Sequence, residues 1–120
     1  HLVMPREVRL EPPLPEFATA EAIAYFVQKK EQNIGSFEQN LAETDTYLNR
    51  IHLALPELAA LLGEQPYLNG SAPGMEDIII FPVLRNLTLV KGIAFPAKLQ
   101  AYIERLSAES KVPLYSERAL

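Results

Sequence analysis

The sequence predicts an all-α domain, a bundle of four to five helices around one buried central helix. Three observations predict it. No β pattern of useful length occurs. Apolar residues recur at helical spacing in successive stretches punctuated by glycine and proline. The run from Gly74 to Pro96, GMEDIIIFPVLRNLTLVKGIAFP, is apolar nearly all round. At Ile78, Ile79, Ile80, Phe81, Val83, Leu84, Leu87, Leu89 and Val90 it leaves no polar stripe, so other helices are expected to enclose it on most sides.

The elements follow in order. A short apolar start (Leu2, Val3, Met4) meets Pro5, and then Pro12, Pro13 and Pro15 make a stiff, extended connector, because each ring fixes its own φ and disfavours helix in the residue before it. Thr19 is placed to cap a helix whose inward positions are Ile23, Phe26, Val27 and Ile34, and Gly35 ends it. Ser36 offers a new cap for one long seam, Phe37, Leu41, Thr44, Leu48, Ile51, Leu55, Leu58 and Leu62, in alternating steps of four and three. Pro56 is expected to kink or break that seam, and Gly63 closes it. The proline, with Thr44 in the seam, favours antiparallel packing in a bundle over a coiled coil.

Pro66 to Pro73 (PYLNGSAP) reads as a loop with a turn at Asn69-Gly70. The central helix then starts at an N-cap box of Gly74 and Asp77, in which the carboxylate three residues on reaches back to the cap N–H. Pro82 is expected to bend this helix and Gly92 to end it. Pro96 suits the first position of a last helix with Leu99, Tyr102, Ile103 and Leu106 facing inward. From Ser110 the chain reads as an extended tail. The whole is one domain: residues 1–18 a leading segment and connector, 19–109 the helical core, 110–120 the tail.

Composition narrows the function. The formal charge is −4, with −7 between Glu31 and Asp77 and +3 elsewhere, so phosphate backbones find no basic surface and nucleic-acid binding is not expected. The longest apolar stretch is interrupted by Pro82, Arg85 and Asn86, short of a membrane span. With no cysteine, the chain cannot form a disulfide, a thiolate metal site or a redox dithiol of its own. His1 and His52 have no Ser or Cys arrangement around them that suggests a nucleophile, and Glu43 and Asp45, two apart on a helix, point to different faces rather than to one metal. No catalytic, cofactor-binding or metal-ligating residue is expected. The triplets Asn69-Gly70-Ser71 and Asn86-Leu87-Thr88 match a glycosylation pattern too common by chance to weigh, and Lys29-Lys30 is too small a basic cluster for nucleic acid or membrane.

Arg85, Asn86 and Thr88 are the polar residues of most interest, lying in the most buried element. Two readings stay open: structural hydrogen bonds to backbone or a neighbouring helix, or a face shared with another domain.

The segment Phe81-Pro82-Val83-Leu84-Arg85-Asn86-Leu87-Thr88-Leu89-Val90, followed by Gly92-Ile93 and Phe95-Pro96, resembles the C-terminal helical domain of the bacterial glutaredoxin 2 family. Tyr25-Phe26-Val27, Lys29-Lys30-Glu31, Gly35 and Phe37 share the likeness, which runs from about Pro15 to the end. The resemblance implies a fold like the C-terminal domain of glutathione transferases, in a protein whose thioredoxin-like N-terminal domain, absent here, carries a Cys-Pro-x-Cys site. It further implies a supporting, non-catalytic role beside that domain, glutathione as cosubstrate of the parent protein, disulfides or glutathione mixed disulfides as substrates through the partner domain, and a cytoplasmic setting. The family's serine cap is Gly74 here, with Asp77 kept. Most of the family's first helix precedes Leu2 to Pro5, which would be its last turn; His1 in place of an initiator methionine suits a piece of a longer protein. The candidate interdomain face is the stripe Ile80, Leu84, Arg85 and Thr88. Two alternatives are a free-standing helical interaction module and the C-terminal domain of a glutathione transferase.

Overall fold

The computed structural model describes residues 1–120 and contains six α-helices and no strand. They are α1 (Met4–Glu7), α2 (Ala20–Ile34), α3 (Phe37–Ala42), α4 (Thr44–Leu62), α5 (Met75–Leu87) and α6 (Ala97–Ser110), with single 3-10 turns at Pro15–Phe17 and Ser116–Arg118. α6 packs on both α4 and α5, α3 lies between α1 and α4, and α2 lies against α3 and the first 3-10 turn. The molecule is elongated, 45 × 30 × 24 Å.

Helix starts follow the local chemistry. The Thr19 hydroxyl accepts from the Ala22 amide at 3.1 Å and the Ser36 hydroxyl from Gln39 at 3.4 Å, each satisfying an amide the helix leaves free. The long seam does break in two, but at Glu43 rather than at Pro56, which sits inside α4. The cause is Thr44: its hydroxyl donates back to the Leu41 carbonyl at 2.5 Å and also accepts from Arg6, competing with the helical backbone ladder.

The main core lies where α4, α5 and α6 meet, from Leu55 and Leu62, Leu84 and Leu87, and all four residues assigned inward on α6: Leu99, Tyr102, Ile103 and Leu106. Two boundaries shift from expectation. Pro96 is the cap of α6, which begins at Ala97. α5 ends at Leu87, well before Gly92, because Thr88 turns its hydroxyl onto the Arg85 carbonyl at 2.5 Å and accepts the Tyr115 amide at 2.9 Å.

That second bond belongs to the C-terminal segment, which is no loose tail. Tyr115 is buried with Leu10 and Leu89 in a second small cluster. The Leu120 amide donates to the Leu89 carbonyl and its carbonyl accepts from Lys91, both at 2.9 Å. Arg6, buried, ties the same carbonyl (2.8 Å) to Leu2 (2.9 Å) and Thr44 (2.9 Å). Burial foremost, and then the nearby Arg9, lower its pKa.

Candidate functional site

α5 carries two apolar stripes, and they meet different fates. Its inner stripe, Asp77, Ile80, Phe81, Leu84 and Leu87, faces the core, where Leu84 is 1 % exposed. Its outer stripe, Met75, Ile78, Ile79, Pro82 and Val83, steps by three and four along the opposite side and is open. Met75 is 65 %, Ile78 67 %, Ile79 64 % and Val83 54 % exposed. The expectation that other helices enclose α5 on most sides is therefore corrected: within this chain they cover one side.

The candidate stripe Ile80, Leu84, Arg85 and Thr88 is corrected with it, since it presents no free face. Leu84 and Thr88 are buried by the domain itself, and Ile80 packs half-buried on the main core. The half-buried Arg85 donates from Nε to the Pro113 carbonyl at 2.7 Å and lies 4.3 Å from the centre of the Tyr115 ring. Between the two readings of the polar trio, Arg85 and Thr88 take the structural one: they bind the C-terminal segment. Asn86 stands apart and helps line a cavity of about 470 Å³ with Glu7, Tyr47 and Arg50. Beside the open stripe a second hollow of about 360 Å³, lined by Ile78, Phe81, Pro82, Leu106 and Glu109, runs between α5 and α6.

The N-cap box holds this helix in place, and it does more than the sequence indicates. Asp77 is 2 % exposed. Its Oδ2 accepts the Gly74 amide at 2.9 Å and the Asn69 amide at 3.4 Å; Oδ1 accepts the Leu68 amide at 2.8 Å and the Tyr102 hydroxyl at 2.5 Å. One carboxylate thus joins the loop before α5, the start of α5 and the middle of α6. Burial works to raise its pKa, but the bonds from Tyr102 and the three amides outweigh burial and hold it below the ordinary aspartate value. Tyr102 is pushed the other way, by its own burial and by bonding to the carboxylate.

Gly74 gives the box only one of its usual two bonds, because glycine has no hydroxyl to return to Asp77. The reason for glycine is steric: a Cβ there would lie 2.4 Å from Cγ of Asn69. Sequence spacing found the Gly74–Asp77 bond. The Tyr102 partner, twenty-five residues away, was visible only as an inward-facing tyrosine whose hydroxyl needed an acceptor.

No group of three or more His, Cys, Asp or Glu side chains is placed to hold a metal ion. His52 serves the backbone: its Nε2 accepts the Ala94 amide at 3.0 Å. No helix is long and apolar enough to cross a membrane.

The family model of the C-terminal domain of glutaredoxin 2 matches residues 1–119. Glutaredoxin 2 of Escherichia coli strain K12 is 37 % identical over 105 residues, covering 88 % of this chain and 48 % of its own length, and that of strain O157:H7 matches equally. The crystal structure of glutaredoxin 2 from Salmonella typhimurium in complex with glutathione superimposes with a TM-score of 0.90 at 35 % identity, over 99 % of this chain and 53 % of that one. The chain thus spans about half the length of the curated relatives it matches. With the helical fold and the match along nearly all its length, the chain belongs to the family of glutaredoxin 2 C-terminal domains.

Proposed function

We propose that this domain is the non-catalytic helical half of a glutathione-dependent disulfide oxidoreductase of the glutaredoxin 2 type, acting in the cytoplasm. The single observation that carries the reading is the open apolar stripe of α5 in a domain about half as long as its relatives. Met75, Ile78, Ile79 and Val83 form the kind of contiguous apolar surface that proteins cover with a partner. The rest of the family's first helix and a thioredoxin-like domain of the same polypeptide are the cover that the family supplies. The redox chemistry belongs to that domain, because thiol–disulfide exchange needs an attacking thiolate and this chain has no cysteine. The helical half then supports the thioredoxin-like one and forms one wall of the cleft where glutathione and a disulfide substrate meet.

Three measurements test this. The coding sequence upstream of His1 should encode a Cys-Pro-x-Cys motif in a thioredoxin-like pattern; a start codon directly before His1 would leave a free-standing interaction module instead. In the polypeptide encoded with that upstream sequence, Ile79→Glu should weaken thermal stability and glutathione-coupled disulfide reduction. The same substitution in the 120-residue chain should leave its melting temperature within about 2 °C, since surface changes rarely exceed about 0.5 kcal/mol. Equal effects in both would place Ile79 in the domain's own packing and remove this face from the proposal. The 120-residue chain alone should give no disulfide reduction above background in the glutathione-coupled assay, and a clear rate would overturn the division of labour.

A further inference from the structure

We infer that α2 is a hinged arm, which swings off the domain as a unit while the core of α4, α5 and α6 stays folded. The helix is 15 residues long, yet none of its side chains is buried. Neither hydrophobic cluster draws a residue from it. It is seated by half-buried side chains, among them Ile23, Val27 and Ile34, and by an aromatic staple outside both clusters, in which the Phe26 ring meets Phe17 edge-on at 4.8 Å and Phe37 at 6.2 Å. Segments with few buried apolar contacts open at far lower free energy than the core, in contiguous units.

The ends of α2 are built to let it move. The side-chain bonds that join it to α3 lie at one end: the Phe37 amide donates to Glu31 Oε1 at 3.0 Å, and Asn40 Nδ2 donates to the Ile34 carbonyl at 3.1 Å. Between them stands Gly35 at φ 80° and ψ −173°, a backbone region open in practice to glycine alone. An added Cβ there would meet nothing within 4 Å, so the glycine serves the backbone and not the packing. Both bonds cross Gly35 close to the pivot, so rotation there displaces their partners least and separates the Phe26 staple at the far side most. At the other end, the chain is held through the connector, where the Pro12 carbonyl accepts from Arg118 and Leu14 packs on the second cluster, as far as the buried Phe17.

Hydrogen exchange of the 120-residue chain, read by mass spectrometry under native conditions, tests the arm. Once off the domain a lone 15-residue helix is marginal in water, so amides of α2 should exchange as one set, at least about 100-fold faster relative to their intrinsic rates than those around Tyr102 and Ile103 in α6, and with a smaller dependence on denaturant than α6. Phe26→Ala should speed exchange in α2 by a further factor of about ten and leave α6 unchanged. Limited trypsinolysis should cut after Lys29 or Lys30 before it cuts at the helical sites Arg50 in α4, Arg85 in α5 or Arg105 in α6, because cleavage within a helix tracks its open population. Exchange of α2 and α6 in one event would overturn the inference. So would a Phe26→Ala variant that speeds both helices equally or neither, or trypsin cutting first in α4, α5 or α6.

Discussion

Replacing Asp77 should cost more stability than any other single polar substitution in the domain. In Asp77→Asn the side-chain volume survives, but the charge goes and one of the two accepting oxygens becomes an NH₂ group. That group would face either the Leu68 amide, with the Tyr102 hydroxyl turning to accept from it, or the Gly74 and Asn69 amides, so donor meets donor at a backbone amide either way. A hydrogen bond to a charged acceptor contributes about 1.5–3 kcal/mol, and a buried donor left unpaired costs about 1–3 kcal/mol. With one close backbone donor stranded and the remaining bonds no longer made to a charged acceptor, the loss should be about 3 kcal/mol. That is a large share of the 5–15 kcal/mol typical of a whole domain. Urea unfolding followed by far-ultraviolet circular dichroism would measure it as a lower midpoint at unchanged slope. Tyr102→Phe removes one donor and should cost less, about 1–2 kcal/mol, and the double variant should be milder than the sum because both changes remove the same bond. A loss below about 0.5 kcal/mol in Asp77→Asn, or strict additivity with Tyr102→Phe, would refute the role given to this carboxylate.

Further outcomes follow from the same geometry. Acid should act through Asp77 late: its pKa is lowered in the folded state, so the stability it contributes is present above the ordinary aspartate value and is lost as pH falls through the lower folded value. Acid titration of Asp77→Asn should lack that component. Glu7 has the opposite sign, since burial and then Glu16 raise its pKa against the pull of Lys30; its contribution falls as pH rises from the ordinary glutamate range through the raised value. Glu7→Gln should flatten that part of a stability-against-pH curve measured by thermal unfolding. Gly74→Ser should fail to gain the usual cap benefit because its Cβ would lie 2.4 Å from Asn69 Cγ and 2.7 Å from Asn69 Cβ, whereas Gly74→Ser in an Asn69→Gly background, which removes both atoms, should gain about 0.3 kcal/mol over Asn69→Gly alone in the same urea assay.

Much of the fold was legible because its local signals are strong. Thr19, Ser36, Gly35 and Gly63 mark helix ends by chemistry that acts within a few residues, and the four inward residues of α6 share one period. What the sequence concealed depends on distant partners. The break at Glu43 is set by Thr44, whose second partner, Arg6, comes from α1, and α5 stops at Leu87 because Tyr115 arrives twenty-seven residues later to claim Thr88. The candidate face went astray for a related reason. On a helix apolar all round, periodicity cannot say which side meets its own domain, so Leu84 and Ile79 look equivalent until the neighbours are placed. Leu84→Ala should accordingly cost about 2–5 kcal/mol, a core truncation, where Ile79→Ala at 64 % exposure should cost little.

The composition of α5 is therefore that of a helix buried on both sides, while this chain covers one. Fully burying an aliphatic side chain contributes about 1.5–3 kcal/mol. Scaled by the exposures of Met75, Ile78, Ile79 and Val83, from 54 to 67 %, covering the open stripe is worth roughly 4–7 kcal/mol. Two free molecules that associate lose about 4–15 kcal/mol of translational and rotational freedom, so this stripe would hold an untethered partner weakly at best. A partner joined by a short linker is held at an effective concentration in the millimolar range, about a thousand times that of a free partner at micromolar concentration, an advantage of about 4 kcal/mol. The size of the stripe thus suits a domain of the same polypeptide better than a separate protein. Cutting such a linker by site-specific proteolysis should release the two halves at micromolar concentration, which sedimentation velocity would register as two slower species. Halves that stayed together after cleavage would require an interface much larger than the stripe, and the argument from its size would fail.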